Sequence, residues 1–147
     1  MRWRFVDKIT AVHPWQKITG IKSIGLEEYY LLEPLGREYV LPESLVIECC
    51  VELARWLVTV SSSFSLTALL RGVDGFHFAG PAEGGEVLEI CANLVNRDGS
   101  GVTVDCSVAA QGRAVAHGRL DLGSFRPLDI SERDEMTGRW RELHGPA

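Results

Sequence analysis

Glu48, Glu52 and Arg55 are the residues of this 147-residue chain whose types and spacing come nearest to a reaction centre. At i, i+4 and i+7 they share one side of a helix, where two carboxylates four residues apart repel. Buried, such a stripe would raise the pKa of one carboxylate and suit it to acid/base work. At a solvent-facing edge it is an ordinary surface on which Glu52 pairs with Arg55. Spacing alone leaves both readings open.

The other reactive side chains point less clearly. His13 stands beside Pro14, His77 between Phe76 and Phe78, His117 on the polar side of an alternating run, and His144 in the tail. No two have metal-ligand spacing, so the expectation is no metal and no cofactor. Tyr29, Tyr30 and Tyr39 are candidate acids or interface packing. Ser44 and Ser61–Ser63 sit in no nucleophile-elbow context. Cys49 and Cys50 are adjacent, Cys91 and Cys106 fall in apolar runs, and no zinc or thioredoxin spacing occurs. They read as reduced, small hydrophobic side chains.

The elements that must hold these residues follow from hydrophobic period. Trp3 to Val12 and Trp15 to Ile24 are extended runs separated by His13-Pro14, which predicts a hairpin. Gly25 to Leu41 is irregular and reads as a long loop, the kind that more often carries function than not. From Pro42, the apolar residues Leu45, Val46, Cys49, Cys50, Leu53, Trp56, Leu57 and Val60 mark one broad helical face. Ile47, Val51 and Val58 lie on the opposite side, so the helix is apolar almost all round and must be wrapped. Pro42 and Glu43 suit its first turn, and Ser61–Ser63 end it.

Beyond the helix the period changes to two. Leu66 to Phe78 predicts one long strand bent at Gly72 or Gly75; runs from Leu88, Val102 and Ala114 form an antiparallel meander with one wet face. The tail from Pro127 is charge-rich with Met136, Trp140 and Leu143 at helical spacing, and Ser131 is its candidate cap. Two strands, one helix apolar on most sides and about four more strands are satisfied together by an α+β hot-dog fold, an antiparallel sheet wrapped around a long central helix with a short C-terminal tail helix. The hot-dog domain is placed at residues 1–126 and the charged tail at 127–147.

Composition closes off other classes. A net charge of −5 without a dense Lys/Arg stripe argues against nucleic-acid binding. The chain is 46% hydrophobic, yet no apolar stretch reaches membrane-spanning length. Met1 to Phe5 meets Asp7 and Lys8 before any apolar run, unlike a secretory signal, so a cytoplasmic protein is expected.

Pro42-Glu43-Ser44-Leu45-Val46-Ile47-Glu48 resembles the Pro-Gly-Val-Leu-Ile-Ile-Glu stretch that opens the central helix of the (3R)-hydroxyacyl-acyl-carrier-protein dehydratases of FabZ and FabA type. Glu48 falls on that family's catalytic glutamate, and Glu52 on the glutamine four residues later. Phe5-Val6-Asp7 is similar to the family's Leu-Val-Asp, and Pro81 to Leu88 to its strand-opening Arg-Arg-Pro-Val-Val-Pro-Gly-Asp, so the likeness spans roughly residues 5–122. The family's loop before the helix reads Gly-His-Phe-Pro-Gly-His-Pro-Val-Met-Pro. Counting back from Pro42 sets its catalytic histidine at Pro34 and its second histidine at Glu38, with Gly36, Arg37, Val40 and Leu41 keeping the loop's outline.

The resemblance implies a dimer in which histidine and glutamate from opposite subunits remove water from a 3-hydroxyacyl thioester in fatty-acid or polyketide metabolism. It implies an acyl-carrier-protein or coenzyme A thioester as ligand, Glu48 as acid/base residue, Glu52 beside it, and Leu41, Pro42 and Leu45 as acyl contacts. This chain carries half of the catalytic pair. Three functions fit: a dehydratase, as a homodimer or as a heterodimer with a histidine-bearing hot-dog subunit; a hot-dog thioesterase using Glu48; or a non-catalytic acyl-binding or heterodimer partner subunit. Soluble partners alone are expected, with neither nucleic acid nor membrane among them.

Overall fold

The alternation of Val102, Val104, Cys106 and Val108 becomes a buried row, with Asp105 and Ser107 facing outward between them. In the computed structural model, which describes residues 5–25 and 40–144, these residues form β5 (Gly101–Ala110). It lies in a six-stranded sheet with β1 (Lys8–His13), β2 (Lys17–Ser23), β3 (Leu66–Phe78), β4 (Val87–Arg97) and β6 (Arg113–Pro127), in the order β1-β2-β4-β5-β6-β3. All neighbours are antiparallel. Helix α1 (Glu43–Ser61) lies in sequence between β2 and β3, and α2 (Ile130–His144) follows β6.

The sheet curls around α1, which packs against β2, β3, β4, β5 and β6. Val46, Cys49, Cys50, Leu53, Trp56 and Leu57 are buried, and so are Val51 and Val58 on the side that a surface helix would give to water. Burying each larger aliphatic chain contributes roughly 1.5–3 kcal/mol relative to exposure. Pro42 is the N-cap, just outside the first turn where the pattern had put it. At the other end, Ser62 donates its N–H to the Val58 carbonyl at 3.0 Å. Ser63 and Phe64, at φ 55° and 62°, then turn the chain into β3.

Turn chemistry moves the first hairpin's strand ends inward. Pro14, Trp15 and Gln16 form the turn, with Trp15 at φ 56°, and Gln16 donates its N–H to the His13 carbonyl at 2.9 Å. Trp15 donates its own N–H to Ser61 Oγ at 2.7 Å, tying the turn to the end of α1, while the Arg97 guanidinium lies 4.0 Å above its ring. Between β5 and β6, Gln111 and Gly112 both have positive φ, 52° and 78°, as a tight two-residue hairpin requires.

Strand β3 is continuous, with three register shifts against β6 and Gly75 at φ 60°. Its side chains lie in notches that glycines leave in β5 and β6. The Phe76 ring occupies the space a Cβ on Gly118 would need, and the Arg71 side chain does the same at Gly101 and Gly123. Arg71 then donates to the Ser100 carbonyl at 3.3 Å and Asp121 at 3.0 Å.

All four cysteines are free thiols, and Cys49, Cys50 and Cys106 are buried. A hydrogen bond with Cys106, reinforced by burial, pushes the Cys50 thiol well above its ordinary range. It behaves as a small core residue.

Helix α2 packs beside β1 and onto α1, where Trp140 meets Trp56 at 5.7 Å and Phe64 at 6.4 Å between ring centroids. Leu143 is buried and Met136 half-buried, so the spacing read from sequence faces inward. The cap is Asp129 rather than Ser131: Glu132 donates its N–H to Asp129 Oδ1 at 2.8 Å, and its carboxylate accepts two bonds from Arg126 at 2.9 and 2.7 Å. That arrangement holds the Glu132 carboxyl at about 2, below its ordinary 4.5, with Arg126 the main cause. A depressed carboxyl pKa stabilises the fold above the unfolded value and ceases to do so as pH falls through the folded one. Tryptophan fluorescence should therefore report loosening of the α2 contact between about pH 4.5 and 2. Glu132→Gln should already be loosened at neutral pH, with less further change over that interval; an acid titration identical to the parent's would refute the assignment.

Among the described residues, no helix is long and apolar enough to cross a membrane.

Candidate functional site

The segment entering α1 is stitched to the loop after β3. Leu41 donates its N–H to the Ala82 carbonyl at 2.7 Å, and Val40 bridges Glu83. A cavity of about 270 Å³ lies at this junction, lined by Leu41, Glu43, Val46, Phe78, Gly80 and Val115 among others. Its wall is polar and apolar in about equal measure, and no side chain caps the start of α1. Leu45 donates its N–H to the Pro42 carbonyl at 2.9 Å, while the Glu43 and Ser44 N–H groups that precede it have no carbonyl within the helix and suit an oxygen acceptor. Of the predicted acyl contacts, Leu41 is buried and lines the cavity, Pro42 is the half-buried N-cap, and Leu45 is half-buried on the first turn.

Glu48 stands five residues along α1 from Glu43, about 7.5 Å by helical rise. Its side chain is exposed and does not line this cavity, so the buried setting that the sequence pattern left open is absent in the single chain. Glu52 and Arg55 are half-buried. Among the described residues no ion pair joins them, because Arg55 turns inward and its Nε is buried without a hydrogen-bond partner. The stripe runs further than the sequence pattern indicated: Thr59 lies on the same side, fully buried, with its Oγ1 also unpartnered. Polar groups thus pass from exposed at Glu48 to buried at Thr59.

No imidazole of the chain joins Glu48. His13 is exposed at the end of β1, and His144 stacks on Trp140 at 4.8 Å. His77 and His117 pair with each other on the outward face of the sheet, whose inward face holds α1. An approach of His77 to Glu48 is therefore blocked by the sheet itself. Pro34, Gly36, Arg37, Glu38 and the three tyrosines lie outside the described residues.

Sequence reasoning missed the cavity wall at Phe78–Ala82 and the position of Glu43 at its rim. Glu43 had registered only as a first-turn acid. The wall comes from a β3–β4 connection almost forty residues away, with no periodic signal of its own.

A curled antiparallel sheet around a central helix defines a hot-dog protein. No protein-family model matches the chain. Over 109 residues it is 31% identical to the 3-hydroxyacyl-acyl-carrier-protein dehydratase FabZ of Psychrobacter arcticus, covering 70% of this chain and 73% of that one. A hot-dog-like protein from Thermanaerovibrio acidaminovorans superposes with a TM-score of 0.65 at 14% identity, covering 88% and 92% of the two chains. The smu.793 protein of Streptococcus mutans, solved bound to acetyl CoA, gives 0.64 at 13%, covering 82% and 88%. The chain belongs to the FabZ family of 3-hydroxyacyl-acyl-carrier-protein dehydratases.

Proposed function

We propose that this protein is the carboxylate-bearing half of a dehydratase site for 3-hydroxyacyl thioesters, completed by a second hot-dog subunit that carries the missing imidazole. The observation that supports this is the distribution of acid/base groups: Glu48 is retained on the central helix, and every histidine of the chain lies elsewhere. Removing water needs a base for the α-proton and an acid for the departing hydroxyl, and Glu48 by itself supplies one of the two roles. A homodimer would repeat Pro34 at both sites. A heterodimer would restore one complete pair. Leu41, Pro42 and Leu45 then contact the acyl chain, and Glu52 stands beside Glu48.

The place for that subunit is the free edge of β3. Among the described residues its thirteen residues pair on one side only, and Leu69 and Val73 expose 52% and 44% of their surface. An unpaired strand of that length invites another strand.

The experiment is an assay of 3-hydroxyacyl and enoyl thioesters with the chain alone and with a histidine-bearing FabZ-type subunit. Dehydration by the mixed assembly, with little from the chain alone, is the expected result. Release of free thiol by the chain alone would instead favour hydrolysis. That second reading has its own support, because a thiolate leaves without help from an acid and a single carboxylate can activate water. Acyl-thioester binding with neither reaction would make the chain a silent acyl-binding subunit.

A further inference from the structure

His77 and His117 are forty residues apart in sequence, yet they sit directly opposite each other on β3 and β6. Both are exposed, on the outward face, with ring centroids 5.4 Å apart and planes inclined by 50°. That separation is informative. Two imidazoles bound to one tetrahedral ion through metal–nitrogen bonds of about 2.0–2.1 Å place their centroids roughly 5 Å apart. The rings therefore already stand at the distance that chelation would impose. The outward row continues through Ser107 and Cys91, register partners of His117 and Ser107 in turn. The groove beside it, of about 460 Å³, leaves room for water on an ion.

We propose that His77 and His117 form a two-point chelate for a late first-row divalent metal ion, Zn²⁺, Ni²⁺ or Cu²⁺, that clamps the end of β3 to β6. Imidazole nitrogen with water completing the coordination suits these ions and not Mg²⁺ or Ca²⁺. Among the described residues no third His, Cys, Asp or Glu joins the pair, so the remaining positions belong to water. The clamp acts where β3 most needs it, just past Gly75 and the register shift between Asp74 and His77. It also acts next to the candidate site, because Phe78, the residue after His77, lines the cavity at the start of α1. The proposal does not depend on the dehydratase reading.

The test uses untagged, chelator-treated protein titrated with NiCl₂ and with ZnSO₄ by calorimetry, together with thermal unfolding. One ion per chain and a raised Tm are expected. His77→Asn and His117→Asn should each weaken binding by at least about tenfold, since even the loss of a group behind a metal ligand costs about that much. His13→Asn should bind as the parent does. Because a substitution could disturb the strand, Cu²⁺ electron paramagnetic resonance on the unmodified protein supplies a second readout, with hyperfine structure from two equivalent imidazole nitrogens expected. Absence of saturable binding, binding unchanged in both variants, or coupling to a single nitrogen would overturn the proposal.

Discussion

Trp56→Ala should lower unfolding stability by about 3–5 kcal/mol, the range for deleting a large aromatic side chain from a core that relaxes only partly. Trp56 is 1% exposed and is the largest of the fully buried side chains. It serves two interfaces at once, since it belongs to the core around α1 and also meets Trp140 of α2. The variant should therefore lose α2 docking as well, seen as a red shift of the Trp140 emission before the main urea transition. Trp56→Phe should cost much less. It keeps most of the ring contact and removes the indole N–H, which is buried without a partner in the parent and already opposes burial. A loss below about 1 kcal/mol for Trp56→Ala would mean that the site collapses freely, contrary to the packing described.

Glu48→Gln should reduce turnover of the mixed dehydratase assembly by about 10²–10⁴, the usual contribution of one positioned acid or base. At 1.36 kcal/mol per tenfold, that is a barrier rise of about 3–5 kcal/mol. The amide keeps the shape and polarity of the side chain but cannot exchange the proton, so KM should change little while kcat falls. Stability should stay within about 0.5 kcal/mol, because Glu48 is exposed and amide for carboxylate leaves no cavity. The same assay applied to Glu43→Gln and Glu52→Gln places the chemistry along α1. Full activity in Glu48→Gln with loss in Glu43→Gln would move the reacting group to the cavity rim and end the role assigned to Glu48.

The parts of this molecule legible in sequence are those where one residue's environment is set by its near neighbours. Val102 to Ala110 alternates because one face is dry and the other wet, and α1 could be recognised as wrapped because Val51 and Val58 leave little side for water. Asp129 was missed as the α2 cap because Ser131 is an equally good capping type, and only the reciprocal bond with Glu132 distinguishes them. The site was harder for a different reason. Glu48 could be found through a short linear motif, whereas the cavity it was expected to serve is built by Leu41, Phe78 and Val115 from three separate segments. The meeting of His77 and His117 depends on register through a strand with three shifts, which no local pattern encodes.

The two borders of the sheet are unequal. The six residues of β1 carry an irregularity between Ile9 and Ala11, and α2 lies alongside them, whereas β3 offers thirteen residues with nothing laid against its outer side among the described residues. A sheet that can be extended from one border only is self-terminating. Once a second copy or a different hot-dog subunit docks there, the borders that remain are short and obstructed, and a filament cannot propagate strand by strand. The geometry that leaves room for one partner is thus also a safeguard against fibrous aggregation.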